Sequence, residues 1–497
     1  MAGAAVALAL FAAAVVLRLY HVTTSYDVFI DEVTYRQIAS NLANGEGLTL
    51  YGSPFTLHPP VSFLLMAGAL RLLGLDGPAM VDIDALRMVT ACVGALVAPA
   101  TWLLVRRCGA GALVAAGAAS FVVVDPFLIS FDSRVMLEAW AQVFVVATLL
   151  LLVSSVRLTG RTATVTLVLA GLSGAAALAT KETFGLVLVA TMAMAIVTRV
   201  LPRRQTAAAL VIALLGYATN AAITSWAYGF SSWWGYRTDG LARLLGHKQS
   251  TGFNAETTQV SLTSRVLHDL DVLVVTYGVL IVGGVGTLVL LTRLWRRRHA
   301  AVDPRTRLLD LPVLWSLAAC GYLAYATLFG SIEEQMYYIP LLPCTIVAFL
   351  WASGLGRSVA RPVAAVTAAV LVLAPVAFNL VVWERVHTTD VNAYGALVDW
   401  APDHLEVGSK VALTDDTSQF LLDGLVIGDW SNGRDLKSED VDFVVIQTKL
   451  VEEGYSDASP NLLAKLRSKA KVIFEADSTD GAQLLVFDTR AWTGGTR

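Results

Sequence analysis

Eleven apolar runs, near residues 3–20, 84–105, 110–131, 136–156, 162–180, 183–201, 206–228, 271–292, 311–330, 335–355 and 362–383, constrain this chain more than any other feature. A helix needs about 20 apolar residues to cross a hydrocarbon layer of about 30 Å, and only a helix or a closed barrel satisfies its own backbone there. Charged residues make up 15% of the 497-residue chain, against roughly a quarter in soluble domains. A soluble enzyme, a collagen and a disordered chain are excluded. The chain is read as an all-α polytopic membrane protein of about 11 transmembrane helices plus interfacial helices.

Charge sets the expected orientation. No basic stretch precedes the first run, and Arg18-Leu19-Tyr20 after it does not resemble a cleavage site, so this run is expected to remain as an anchor. The run from Pro60 to Gly74 is short for a span. Laid along the membrane surface, it puts Arg106-Arg107, Arg157/Arg161, Arg199/Arg203/Arg204, Arg293 to Arg307 and Arg357/Arg361 on one side, as the positive-inside rule requires. The expected topology then has a cytoplasmic N-terminus and long outer loops over about 21–83 and 229–270.

Residues 1–385 form the membrane module in this reading, and residues 386–497 a small C-terminal α/β domain on the outer face. Short strand-like runs at Lys410–Leu413, Phe443–Ile446, Val472–Phe474 and Leu484–Phe487, with a helical stretch at Leu462–Lys469, support the second part. Its acid-rich composition gives no basic stripe for nucleic acid, and none is expected as a partner. Cys92, Cys108, Cys320 and Cys344 have neither metal-ligand nor disulfide spacing and are expected to be packing residues.

Charges within a bilayer are costly, and here they gather at the outer ends of the spans: Asp31-Glu32, His58, Asp125, Asp132, Arg134, Glu138, Lys181-Glu182 and Glu333-Glu334. A transporter instead concentrates polar groups near the midplane on broken, repeat-related helices, and no such repeat is visible. Carboxylates beside cations at the lipid border suit a reaction between a lipid phosphate and a water-soluble acceptor. Plainer readings stand beside this one. Asp31-Glu32 fits a helix cap and first-turn acid, Arg134 and Glu138 an i,i+4 ion pair, Lys181 a snorkelling side chain. Trp233-Trp234-Gly235-Tyr236-Arg237 reads as an interfacial aromatic belt or as a platform for sugar or lipid.

The ordered set Asp31-Glu32 with Tyr35, His58-Pro59-Pro60, Asp125, Ser133-Arg134, Met136-Leu137-Glu138 and Thr180-Lys181 resembles the protein O-mannosyltransferases. It is similar also to the lipid A aminoarabinose transferases, both of the GT-C glycosyltransferase superfamily. The likeness covers roughly residues 1–200, with an echo in Tyr337-Tyr338-Ile339-Pro340-Leu341-Leu342-Pro343. It implies a plasma-membrane enzyme that moves a sugar, mannose or a pentose, from a polyprenyl-phosphate donor to a glycan, protein or lipid hydroxyl. It implies Asp31 as catalytic carboxylate, Glu32 as its support, Arg134 and Lys181 at the donor phosphate, and His58, Asp132, Glu138 and Tyr35 as supporting residues. No cofactor is required, but a divalent cation is left open, with Asp31, Glu32, His58 and Glu138 as candidate ligands. Glu138 replaces the Asp usual in mannosyltransferases, and the Trp pair lacks the Asp that follows it in oligosaccharyltransferases, which argues against asparagine-linked transfer. The alternative retained is a glycolipid transporter without transferase chemistry.

Overall fold

A computed structural model of the chain describes residues 2–75, 77–248, 261–297, 307–330, 332–355, 361–422, 425–428, 430–478 and 481–493. The basic loops at 298–306 and 356–360, and the middle of the second outer loop at 249–260, lie outside the described residues.

The membrane module runs α1 (Ala2–Leu19), α2 (Ile30–Asn44), α3 (Val61–Leu73), α4 (Ala79–Ala95), α5 (Val97–Cys108), α6 (Ala112–Val124), α7 (Pro126–Asp132), α8 (Leu137–Ser155) and α9 (Gly160–Leu178). It continues with α10 (Glu182–Thr198), α11 (Arg203–Tyr228), α12 (Phe230–Leu244), α13 (Leu262–His268), α14 (Leu270–Arg297), α15 (Leu311–Leu328), α16 (Tyr338–Leu355) and α17 (Arg361–His387). The expected spans coincide with helical stretches, 84–105 being divided between α4 and α5 and 110–131 between α6 and α7. Among the described residues seven helices are long and apolar enough to cross a membrane, or eight if the bent pair α6–α7 counts as one span. Eleven crossings require α1, α10 and α17 to cross as well. α3 exposes Leu64, Leu65, Leu72 and Leu73 on one side and buries Phe63, Met66 and Leu70 on the other, the two-faced pattern of a helix lying at an interface.

The 57° bend between α6 and α7 has a local cause. Proline disfavours helical backbone in the residue before it and is well placed at a first helical position, so α6 stops at Asp125 and α7 restarts at Pro126. The Asp125 carboxylate accepts the Leu128 amide at 3.0 Å and the Thr276 hydroxyl at 2.7 Å. Buried charges tie the bundle together: Arg18 Nε donates to Asp132 at 2.8 Å, and the Tyr338 hydroxyl donates to the same carboxylate. All four cysteines are free thiols, and two of them meet. Cys320 and Cys344 come together, their sulfurs 3.4 Å apart beside Ser316, because α15 packs antiparallel on α16 and brings distant positions level.

After α18 (Ala393–His404) the chain forms β3 (Lys410–Leu413), α19 (Asp416–Leu421), β4 (Val426–Ile427), α20 (Gly433–Ser438), β5 (Phe443–Gln447), α21 (Thr448–Glu453), α22 (Pro460–Lys469), β6 (Lys471–Asp477) and β7 (Gln483–Asp488), β1 and β2 being a two-residue hairpin at Thr49–Leu50 and Ser53–Pro54 in the first outer loop. The sheet order is β4-β3-β5-β7-β6, with β3 parallel to β4 and β5 and with β7 antiparallel to its neighbours. β5 is buried along its whole length, which accounts for its unbroken apolar run. This sheet is anchored on the first outer loop. Asp27 accepts the Tyr394 amide at 3.3 Å and the Ser478 hydroxyl, and the Val391 amide donates to the Thr24 carbonyl at 3.0 Å.

Candidate active site

A cavity of about 790 Å³ opens between the ends of the helices and the C-terminal sheet. Asp31, Tyr35, His58, Arg134, Glu138 and Lys181 all line it, so residues from four separate stretches of sequence converge. Tyr236 and Arg237 line it too, while Glu32, Asp132, Trp233 and Trp234 do not.

The neighbours Asp31 and Glu32 have opposite fates. Both sit in the first turn of α2, about 100° apart around its axis. Glu32 is fully buried and accepts four N–H groups: Phe29 at 3.0 Å, Val135 at 2.9 Å, and Arg87 Nε and Nη2 at 2.8 and 2.7 Å. Its lone pairs are consumed, so the expected role beside the reacting atoms is replaced by that of a strut joining α2 to the backbone that follows Arg134. Asp31 faces the cavity and accepts the Tyr35 hydroxyl at 3.1 Å. Burial pushes its carboxyl up to about 6; Lys181 opposes that shift, while Glu138 and Glu333 add to it. His58 is held down to about 3 by burial and by Lys181, Arg237 and Arg243, so it is a neutral ring.

The i,i+4 ion pair between Arg134 and Glu138 does not form. Helix α8 begins only at Leu137, after an extended Met136, so helical spacing does not apply across 134–138. Glu138 pairs instead with Lys181. Lys181 thus enters the site with its charge already partnered. The Arg134 guanidinium lies 4.9 Å from the centre of the Tyr26 ring, and its buried Nε has no hydrogen-bond partner. No carboxylate among the described residues lies within ion-pair distance of it. The Tyr26 hydroxyl is in turn 3.1 Å from His387 Nδ1.

Asp132 is removed from the cavity by its pairing with Arg18. Trp234 is 52% exposed and stacks on Phe230, and Trp233 borders a small side pocket with Arg237, so neither reaches the main cavity. Arg237 pairs with Glu182 and donates to the carbonyls of Thr56 and Leu57, holding α12 against the first outer loop. The four candidate metal ligands do not assemble, since Glu32 is turned into Arg87 and Glu138 into Lys181. Among the described residues no three His, Cys, Asp or Glu side chains form a ligand group.

Sequence reasoning missed Arg87, Tyr26, Arg265 and the residues contributed from beyond position 386. Arg87 carried a usable signal, being a charge inside an apolar run. Arg265 carried only the i,i+4 spacing to Asp269, because its other partners, Glu334 and Glu453, come from distant elements.

The profile of the dolichyl-phosphate-mannose-protein mannosyltransferase family matches residues 8–224. Among solved structures the chain is similar to AglB, an archaeal oligosaccharyltransferase from Archaeoglobus fulgidus in complex with an inhibitory peptide and a dolichol-phosphate. That match has a TM-score of 0.60 and 13% identity over 97% of this chain and 74% of the other. It is similar also to ArnT from Cupriavidus metallidurans bound to undecaprenyl phosphate, with a TM-score of 0.57 and 14% identity over 99% of each chain. At these identities the likeness is one of fold. No curated protein sequence matches.

Proposed function

We propose that the chain is an inverting glycosyltransferase of the GT-C type using a polyprenyl-phosphate sugar, a reading supported by its fold and by the mannosyltransferase profile over residues 8–224. Asp31 takes the proton of an acceptor hydroxyl as that oxygen bonds to the anomeric carbon. The bond from that carbon to the phosphate oxygen breaks on the opposite face, and its electron pair leaves with the polyprenyl phosphate. Negative charge therefore grows on the phosphate in the transition state, where a fixed cation stabilises it more than in the ground state. Arg134 supplies that cation with a planar fork suited to phosphate, and Lys181, held by Glu138, is the secondary one. Phosphate is a sufficient leaving group without an acid, so one carboxylate serves. The sugar is a mannose or a pentose, and transfer takes place at the outer face of the plasma membrane.

One observation carries this reading: a carboxylate and a guanidinium with no carboxylate partner among the described residues face the same cavity, Asp31 and Arg134. The transporter reading lacks comparable support, because these groups sit at helix ends. The test incubates purified protein with radiolabelled polyprenyl-phosphate sugar and an envelope extract as acceptor source. Asp31→Asn is expected to abolish label transfer while donor binding persists. Full transfer by that variant would assign the base elsewhere, and passage of intact donor without product would favour transport.

A further inference from the structure

Transfer needs two reactants, and the cavity has two walls of different chemistry. Asp31, Arg134 and Lys181 belong to the membrane-module wall. The facing wall comes from the C-terminal sheet, where Thr417, Gln447, Lys449, Glu453 and Tyr455 reach the cavity from the segments that follow β3 and β5. The chain passes from β3 outward to β4 and then returns across to β5, so the crevice beyond the carboxyl ends of β3 and β5 is the point where strand order reverses. Open α/β sheets bind ligands at that point. Here it opens onto the same space as Asp31.

The composition of this wall discriminates between acceptor classes. A lipid needs apolar surface, and Leu450 is the one aliphatic side chain that the described residues of the sheet and its helices contribute. An extended peptide adds to an exposed strand edge, but the edge strands β4 and β6 supply no residue to the cavity. What the wall does offer is a carboxylate, an ammonium and an aromatic ring within one short element. Lys449 and Glu453 stand four apart on α21, and Gly454, at φ +79°, ends that helix and turns Tyr455 outward to 42% exposure. Arg265 orients the Glu453 carboxylate at 3.9 Å while also reaching Glu334 at 3.2 Å. Gln447 is framework, because its side chain caps Leu450 and donates to Ser478. Charged groups fixed in this way hydrogen-bond neighbouring sugar hydroxyls strongly, and an aromatic face packs on a sugar ring.

We propose that the acceptor is a glycan, whose terminal sugar is held by Lys449, Glu453 and Tyr455 with a hydroxyl directed at Asp31. The inference rests on the transferase reading above. Its test uses the full chain in lipid nanodiscs and fluorescently tagged oligosaccharides released from the envelope of the producing cell. Saturable binding is expected, weakened about three- to tenfold in Tyr455→Ala, the range an aromatic contact provides, and also weakened in Lys449→Ala. Binding is expected to be unchanged in Arg161→Ala, an exposed residue that does not line the cavity. Absence of oligosaccharide binding, binding by both wall variants as tight as the parent's, or competition by envelope peptides or lipids would overturn the glycan assignment. Label transfer to a non-glycan acceptor would leave the transferase standing and remove only this inference, whereas glycan binding without label transfer by the parent protein would do the reverse.

Discussion

Asp31 and Glu32 are adjacent acids of one helical turn, and the fold gives them unrelated tasks that separate measurements can resolve. With the Asp31 carboxyl raised to about 6, the base form is lost as pH falls through that value. The value of kcat/KM is therefore expected to be flat above about pH 7 and to fall about tenfold per unit below about pH 6. A profile flat down to pH 4.5 would describe an ordinary exposed carboxylate and remove Asp31 as base. Asp27 is raised into the same range, chiefly by burial, so the acid limb should persist in Asp27→Asn. Glu32→Gln is expected to behave differently, because Arg87 is then left charged, buried and unpaired, at a cost of about 3–5 kcal/mol. The folded yield of Glu32→Gln should collapse, while Asp31→Asn should elute as the parent does. The Asp-Glu pair was legible in the sequence as a helix start beside a site. Which acid caps and which one faces the cavity was not, because that depends on Arg87, 55 positions away.

At the scale of elements, the apolar runs announced helices wherever backbone hydrogen bonding had no alternative to them. The breaks between helices were harder to read and decide the chemistry. The Pro126 restart carries Arg134 to the cavity, and the extended Met136 then separates Arg134 from Glu138. Spacing alone suggested an ion pair that would have neutralised the phosphate-binding cation. Close approach between elements was equally invisible in the sequence. A Cβ placed on Gly94 of α4 would meet the Asp132 carboxyl carbon at 2.4 Å, and Asp132 has little freedom to move, being held by Arg18 and Tyr338. Gly94→Ala should therefore destabilise the protein by about 1–3 kcal/mol, seen as earlier thermal unfolding in detergent. Gly68→Ala, on the open side of α3, should be neutral or slightly stabilising. Equal unfolding temperatures for the two variants would mean that α4 does not press on Asp132.

The whole molecule has two ends of different charge character, and helix length keeps them apart. Helix α8 runs 19 residues from beside Glu138 to Ser155, about 28 Å of rise, and α9 returns over a similar distance toward Lys181. Arg157 donates to the Arg107 carbonyl, so two of the arginine-bearing loops meet at the end remote from the cavity. For these two loops the charge count and the distances put the arginines at one end and the cavity residues at the other. The sheet that closes the cavity was legible as strands, but its seat on Asp27 was not, since that contact joins residues 451 positions apart. If the cavity faces outward, Asp390→Cys should react with a membrane-impermeant maleimide on intact cells. Arg161→Cys should react only after permeabilisation, both in a background whose four native cysteines are replaced by alanine. The Asp390 side chain is 73% exposed and Arg161 is also exposed, so access rather than burial governs the outcome. Labelling of both positions on intact cells would put the arginine loops and the C-terminal sheet on one side of the membrane. No arrangement of α8 and α9 as crossing helices would survive that result, and a site shared by Asp31 and a lipid phosphate would lose its place at the bilayer border.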